Sequence, residues 1–325
     1  MRVLFIGKYT PIEGGTSAAS YWRIHALEQM GIEFEIVTCI LKDSDYIIQG
    51  NTDKNVHLIQ SKVPWHIPYS QLYSERLISL ALELANIIDF DIVEGCYLFP
   101  YGFAAYVVAE LLAKPLILRH AGSDLFRITK DSTLFKLLGR MTKRASIIIT
   151  YKECVQIWKK INPEINLYFS ERYVPNPNYF YSTNEQKDVC FLGKITDKWN
   201  RSQFDYFLNF IRKERYKGNI NVFSNEYTIN TFQDYFKRTE YRVAGKKFIM
   251  PNYVPDVLKG VKYLLVSEIP SGIPEESNIY LEGLMVGCIP VCMGKNTKNI
   301  INLDYSQYIK NQFEAYKGLV LNERG

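Results

Sequence analysis

Short β-branched and aromatic runs, each followed by a turn and then by helical spacing, recur along this chain and constrain its fold more than any other feature. Val3-Leu4-Phe5-Ile6-Gly7 opens the series as a buried parallel strand does. A loop with Pro11, Gly14 and Gly15 follows. The stripe Ala19, Trp22, Ala26 and Leu27 then predicts a helix over 16–30, which Gly31 ends, and residues 33–38 predict the next strand. Strand, glycine loop, helix, strand is the opening of a doubly wound α/β domain.

The alternation continues with helices expected over 77–87, 104–112 and 133–143 and strands over 91–94, 114–119 and 146–150. Val174-Pro175-Asn176-Pro177-Asn178 is turn-rich, and the polar run 182–187 after it reads as a linker. A second series follows, with strands over 189–192, 220–223, 247–250, 263–266 and 289–292 and helices over 204–211 and 276–286. The expected architecture is therefore two doubly wound, Rossmann-like domains facing a cleft, residues 1–181 and 182–325. The length of 325 residues suits about two domains.

Composition narrows the function. With 47% hydrophobic and 22% charged residues the chain belongs with folded proteins and not disordered ones. A net charge of +5 is too near neutral to argue for nucleic acid, yet it suits anionic ligands or an anionic membrane surface. Cys39, Cys96, Cys154, Cys190, Cys288 and Cys292 are scattered through apolar runs and read as free core thiols in a reducing compartment. Neither a signal peptide nor an apolar stretch of the ~20 residues needed to span a bilayer is seen, so the expected location is cytoplasmic.

Four constellations could carry chemistry. Gly14 and Gly15 let the backbone approach a ligand ahead of a helix N-terminus, in neither a dinucleotide nor a P-loop pattern. Arg119-His120-Ala121-Gly122-Ser123-Asp124 ends a strand, where open α/β sheets gather ligands. Lys194, Lys198 and Arg201 place three cations at another strand end, suited to neutralising a departing diphosphate. In the run from Ser271 to Val291, Glu275 lies near a helix start and Glu282 two turns along the same side. Both could accept hydrogen bonds from the hydroxyls of linked sugars, and free amides near Ser277 and Asn278 could meet an anion.

In order, Pro-x-x-Gly-Gly at 11–15, Gly-Ser-Asp-Leu at 122–125, Val-Pro-Asn at 174–176, Phe-x-Gly-Lys at 191–194 and the Glu-containing helix ending in Gly-x-x-Pro-Val at 287–291 resemble the retaining GT-B glycosyltransferases of the group 1 (family 4) type. The resemblance implies sugar transfer from a nucleotide-sugar donor, with retention and without a bound metal or cofactor. It places Glu282 on the donor ribose, Glu275 on the sugar hydroxyls, Lys194 and Lys198 on the diphosphate and Gly15 toward it from the first domain. His120 would stand near the transferred carbon, with Asp124 and the Tyr97–Phe103 loop on the acceptor side. Three departures stand out. Six residues separate Glu275 from Glu282 where the family usually has seven, leaving Glu275 and Glu276 as alternatives. Ala121 takes the place of the family's His, and Lys194 that of its Arg. The family usually runs on after Pro-Val, and residues 317–325 resemble the loop before its last helices. The expectation is a truncated or compact version.

Other readings are weaker. Asp43-Ser44-Asp45 and Asp89-Phe90-Asp91 match a metal-binding Asp-x-Asp. The histidines and cysteines lack zinc spacing, and no Gly-x-Ser-x-Gly elbow is present. A nucleotide-sugar epimerase and a catalytically silent sugar- or nucleotide-binding protein remain as alternatives. Lys136, Arg140, Lys143 and Arg144 on one helix, with Trp65, His66, Tyr69 and Tyr73 nearby, suggest peripheral contact with anionic lipid.

Overall fold

The computed structural model describes residues 1–12, 14–41, 55–61, 71–170, 173–182, 186–195, 201–247, 249–266, 277–293 and 304–323. The chain divides into two compact units. The first takes residues 1–12, 16–172 and 306–325, and the second takes 13–15 and 173–305.

In the first unit seven strands, β1 (Arg2–Gly7), β2 (Glu33–Leu41), β3 (Val56–Ser61), β4 (Ile92–Cys96), β5 (Leu116–Arg119), β6 (Ile147–Thr150) and β7 (Leu167–Phe169), lie in the order β3-β2-β1-β4-β5-β6-β7, all parallel. The helices between them are α1 (Gly15–Gln29), α2 (Gln71–Ala85), α3 (Phe103–Leu111), α4 (Ser123–Ile128), α5 (Ser132–Arg144) and α6 (Val155–Ile161). Alternate residues of each strand serve two cores. Leu4, Ile6, Val93, Leu118 and Ile148 meet Leu77 and Ala81 of α2 and Ala105 and Val108 of α3. Val3, Phe5, Ile92, Ile117 and Ile149 meet Ile24 and Leu27 of α1. Gly95 is required where β4 meets α3, because a Cβ there would stand 2.7 Å from the Gly102 Cα and 2.8 Å from the Ala105 Cβ.

The second unit has five parallel strands, β8 (Asp188–Leu192), β9 (Ile220–Phe223), β10 (Val243–Lys246), β11 (Val261–Leu265) and β12 (Ile289–Val291), in the order β10-β9-β8-β11-β12. Its helices are α7 (Arg201–Lys213), α8 (Glu226–Phe236), α9 (Val254–Lys259) and α10 (Asn278–Met285). On α7 the helical spacing of Phe204, Phe207, Leu208 and Ile211 packs one face against Val189, Phe191 and Val222.

The last helix, α11 (Tyr305–Glu323), carries Ala315 and Tyr316 into the core of the first unit beside α1. This corrects two expectations: the stretch from 317 is helix and not loop, and 306–325 belongs with the first unit and not the second. The division falls after Arg172, ahead of the expected boundary at 181. The expected strand over 247–250 is also displaced. The edge strand that pairs with β9 is Val243–Lys246, and Met250 leads into the turn that begins at Pro251. All six cysteines are buried and form no disulfide, as expected.

A buried polar network fixes α11. Glu94, fully buried in β4, accepts from Arg23 of α1 at 2.9 Å and Arg119 of β5 at 3.0 Å, and the Tyr316 hydroxyl donates to its other oxygen. Arg119 also donates to Gln312 Oε1 at 2.8 Å, and Gln312 donates to Ser170. Burial alone would push the Glu94 pKa up, but the Arg23 and Arg119 charges hold it below the usual range. Replacing Glu94 by Gln leaves two buried guanidiniums uncompensated. Glu94→Gln is expected to cost about 3–5 kcal/mol of unfolding free energy in urea titration, and Tyr316→Phe about 1–2 kcal/mol.

Candidate functional site

Parallel α/β sheets bind ligands at the carboxyl ends of their strands, where the order of connection reverses. In the first unit that point lies between β1 and β4. There the Lys8 ammonium sits 4.8 Å from the centre of the Tyr97 ring. Tyr97 adopts φ 78°, a conformation a non-glycine residue rarely takes, and burial pushes its hydroxyl pKa up, with the Asp124 charge adding to the effect. Asp124 is buried. Its carboxylate accepts from the Leu98 amide at 2.8 Å and the Ala121 amide at 2.9 Å, tying the loop after β4 to the loop after β5. Burial pushes the Asp124 pKa up against the pull of those amides.

His120 is enclosed. The Gly122 amide donates to its Nδ1 at 3.2 Å, so the proton resides on Nε2, which donates to Thr150 Oγ1 at 2.7 Å. Thr150 Oγ1 also accepts from the Trp158 indole at 2.9 Å, and the imidazole packs edge-on against Tyr151 and Trp158. In this geometry neither ring nitrogen is offered to a substrate. The bonds its nitrogens make hold the loop after β5. Asp124 likewise ties two loops together through the Leu98 and Ala121 amides.

In the second unit Lys194 follows β8. Its side chain reaches solvent, yet partial burial pulls its pKa down to about 8. Gly193 before it takes φ 147° and accepts from the Ser224 hydroxyl, while the Ile195 amide donates to Thr228 Oγ1 at 3.1 Å, so the loop is fixed on both sides of Lys194. Arg201 opens α7, exposed, with Asp205 at 3.9 Å. Ser277 stands at the N-cap of α10 in extended conformation, its carbonyl accepting from the Tyr280 amide at 2.9 Å and its buried hydroxyl unbonded among the described residues. Asn278 donates to the Gly15 carbonyl at 2.6 Å within this unit, which takes in Gly14 and Gly15, and Gly14 adopts φ 116°. Lys198, Glu275 and Glu276 lie outside the described residues.

Glu282, in the second turn of α10, is only 4% exposed. The Tyr173 hydroxyl donates to its Oε1 at 2.9 Å. Burial pushes its pKa up to about 7, and the Tyr173 bond opposes the rise. Sequence reasoning found Glu282 but missed Tyr173, because one tyrosine among 24 carries no signal of what it touches. Arg23 and Glu94 were also missed. A glutamate inside the apolar run Ile92–Cys96 was the signal available, since a charge there demands a buried partner.

Of the two Asp-x-Asp triplets, Asp43-Ser44-Asp45 lies outside the described residues. In the other, Asp89 pairs with Lys114 at 3.0 Å and Asp91 accepts from the Arg2 amide at 2.7 Å. Tyr73, expected in an aromatic segment near the basic helix, is buried in the core, and Trp65, His66 and Tyr69 lie outside the described residues.

Comparison with known proteins agrees with this fold. Residues 16–152 match the family described as Glycosyl transferase 4-like. The fold is that of the GT-B glycosyltransferases. An alpha-glucosyltransferase in complex with UDP and a DNA 13-mer containing an HMU base is similar at a TM-score of 0.61 and 14% identity, over 98% of this chain and 90% of that one. Anabaena HepE in complex with UDP-glucose gives 0.58 and 11%, over 98% and 92%. Sucrose-phosphate synthase from Thermosynechococcus elongatus gives 0.56 and 10%, over 90% and 80%. No curated protein matches the chain by sequence.

The Glu282 environment also sets a stability trend. A carboxyl whose folded pKa lies above its unfolded value near 4.5 favours the folded state fully below 4.5, and that contribution is lost as pH rises through about 7. Relative to wild type, Glu282→Gln is therefore expected to gain stability between pH 5 and pH 8, by up to ~3 kcal/mol. Paired thermal melts across that range measure the difference.

Proposed function

We propose that the chain is a retaining glycosyltransferase that takes a sugar from a nucleoside diphosphate sugar without a bound metal. The observation that carries the reading is Glu282, a carboxylate withdrawn from water and, among the described residues, bonded to a neutral hydroxyl and to no cation. A carboxylate so placed is suited to accepting hydrogen bonds from the adjacent hydroxyls of a ribose. Lys194, with the resemblance adding Lys198, would meet the diphosphate, with Arg201 contributing charge at the helix start that follows. Amides near Ser277 and Asn278 would help stabilise the negative charge that grows as the diphosphate departs. Glu275 or Glu276 would hold the hydroxyls of the transferred sugar. The ligands named for two similar structures, UDP and UDP-glucose, favour a uridine base. The first unit would take the acceptor at its Lys8–Tyr97 end, on loops held in place by His120 and Asp124.

A melting screen across nucleoside diphosphate sugars tests this directly, with a rise expected for a UDP-sugar and a blank screen overturning the donor reading. Transfer should fall about a hundredfold in Glu282→Ala and in Lys198→Ala and be unchanged by EDTA. Donor interconversion without acceptor would identify an epimerase. A melting shift with no transfer over a broad acceptor panel would identify a silent binding protein.

The first unit also favours contact with an anionic lipid surface. Residues 127–164 carry nine Lys and Arg against three Asp and Glu, an excess of six where the whole chain has five. Lys136, Arg140 and Lys143 form an exposed stripe on α5, and Arg127, Lys130, Lys152, Lys159 and Lys160 are exposed on or beside α4 and α6. Arg144 does not join them, since it turns inward to Glu110 at 2.5 Å and to the carbonyls of Ala109 and Lys114. No helix among the described residues is long and apolar enough to cross a membrane, so the contact would be peripheral. Wild-type protein should sediment with vesicles containing phosphatidylglycerol and not with phosphatidylcholine alone. Reversal of Lys136, Arg140 and Lys143 to Glu should abolish this, and unchanged sedimentation would sink the idea.

A further inference from the structure

We infer that Tyr173 is a positioning residue for the donor, orienting the Glu282 carboxylate and supporting its charge so that it can receive ribose hydroxyls. The inference rests on the donor reading of Glu282. Tyr173 is buried at the start of the second unit and leads into a segment locked by its own bonds. The Asn176 carbonyl accepts from the Tyr179 amide at 3.0 Å and the Phe180 amide at 2.9 Å, and its side chain accepts from the Asn178 amide at 2.9 Å. Val174, Asn176 and Phe180 are buried as well. A ring anchored by such a segment has little freedom to leave its partner. Its hydroxyl engages Oε1 at 2.9 Å, and no second bond reaches Oε2 among the described residues. One oxygen is therefore held, and among the described residues the other keeps its lone pairs for a ligand.

The surroundings leave this task to Tyr173. On α9, which packs against α10, Asp256 and Lys259 pair with each other at 3.3 Å. Strand β12 carries no ionisable side chain, and Cys288 just before it donates to the Leu258 carbonyl. Tyr280 is the other titratable group on α10, and among the described residues Tyr173 is the group that acts on the Glu282 charge. A phenol donating to a carboxylate favours the ionised form, the form in which both oxygens accept. Loss of the hydroxyl shifts Glu282 toward its protonated form, in which one oxygen becomes a donor.

Calorimetric titration with the uridine, adenosine, guanosine, cytidine and thymidine diphosphates from pH 6 to pH 9 tests the inference on wild type, Tyr173→Phe, Glu282→Gln and the double variant. In wild type the affinity for the diphosphate that binds should rise through about pH 7. In Tyr173→Phe the midpoint of that rise should move up by about one pH unit, lowering affinity near neutrality by up to about tenfold while the two converge at pH 9. Glu282→Gln removes this rise, leaving only the titration of the diphosphate itself, and in that background Tyr173→Phe should have no pH-dependent effect. A Tyr173→Phe midpoint equal to wild type, or an equal loss of affinity at every pH, overturns the positioning role. Wild-type binding by Glu282→Gln at every pH overturns the donor reading of Glu282 instead.

Discussion

The first unit is organised around one buried carboxylate. Glu94 sits in the middle of β4, in the strand where the sheet's order of connection reverses, and cannot be solvated there. Its charge is balanced by Arg23 from α1 and Arg119 from β5, and its remaining lone pairs are engaged by Tyr316 from α11. Burial would drive the proton off Arg23, yet Glu94 beside it raises its pKa instead. Such a network contributes little net stability over a well-packed apolar alternative, but any missing member leaves a charge stranded. The last helix is thereby committed to the face of the sheet on which α1 packs. The strand ends that follow, Tyr97 after β4 and His120 after β5, inherit their positions from Glu94 and Arg119, three and one places behind them in that network.

Glu282 shows what a buried carboxylate looks like when the protein has not finished compensating it. Both glutamates are withdrawn from water, so desolvation is comparable. Glu94 has two guanidiniums and its pKa falls, whereas Glu282 has, among the described residues, one neutral hydroxyl and its pKa climbs to about 7. The difference follows from partner charge and not from depth. A structural carboxylate is satisfied within the fold, while one held by a single hydroxyl retains accepting capacity that a polyhydroxylated ligand can fill. Lys194 is shifted in the opposite direction, its ammonium weakened by partial burial.

The same distinction explains what could be read from the residues beforehand. The strands of both sheets were legible where they are mostly apolar and buried, as at Val3–Gly7, Ile147–Thr150 and Ile220–Phe223. Edge strand β10 was not, because Val-Ala-Gly-Lys is half exposed and the more hydrophobic residues just after it drew the assignment. Helix α8 was missed although Asn225 caps it, its side chain accepting from the Thr228 amide. The last helix was misread as a loop because what defines it is tertiary: Tyr316 and Gln312 have meaning only once Glu94, Arg119 and Ser170 are brought beside them.

The candidate site divides along the same line. Glu282 and Lys194 were legible because a charged residue at a fixed place on a helix or after a strand has few uses. His120 and Asp124 matched a motif at a strand end, and that position is equally what a loop-fixing pair occupies when its polar atoms turn inward. Sequence places a polar group near a site, but the number of its bonds already taken within the protein decides whether it can act on a ligand. For His120 both ring nitrogens are taken; for Glu282 one oxygen is. Tyr173 escaped notice for the complementary reason, since its importance lies wholly in the carboxylate it touches, more than a hundred residues away in the chain.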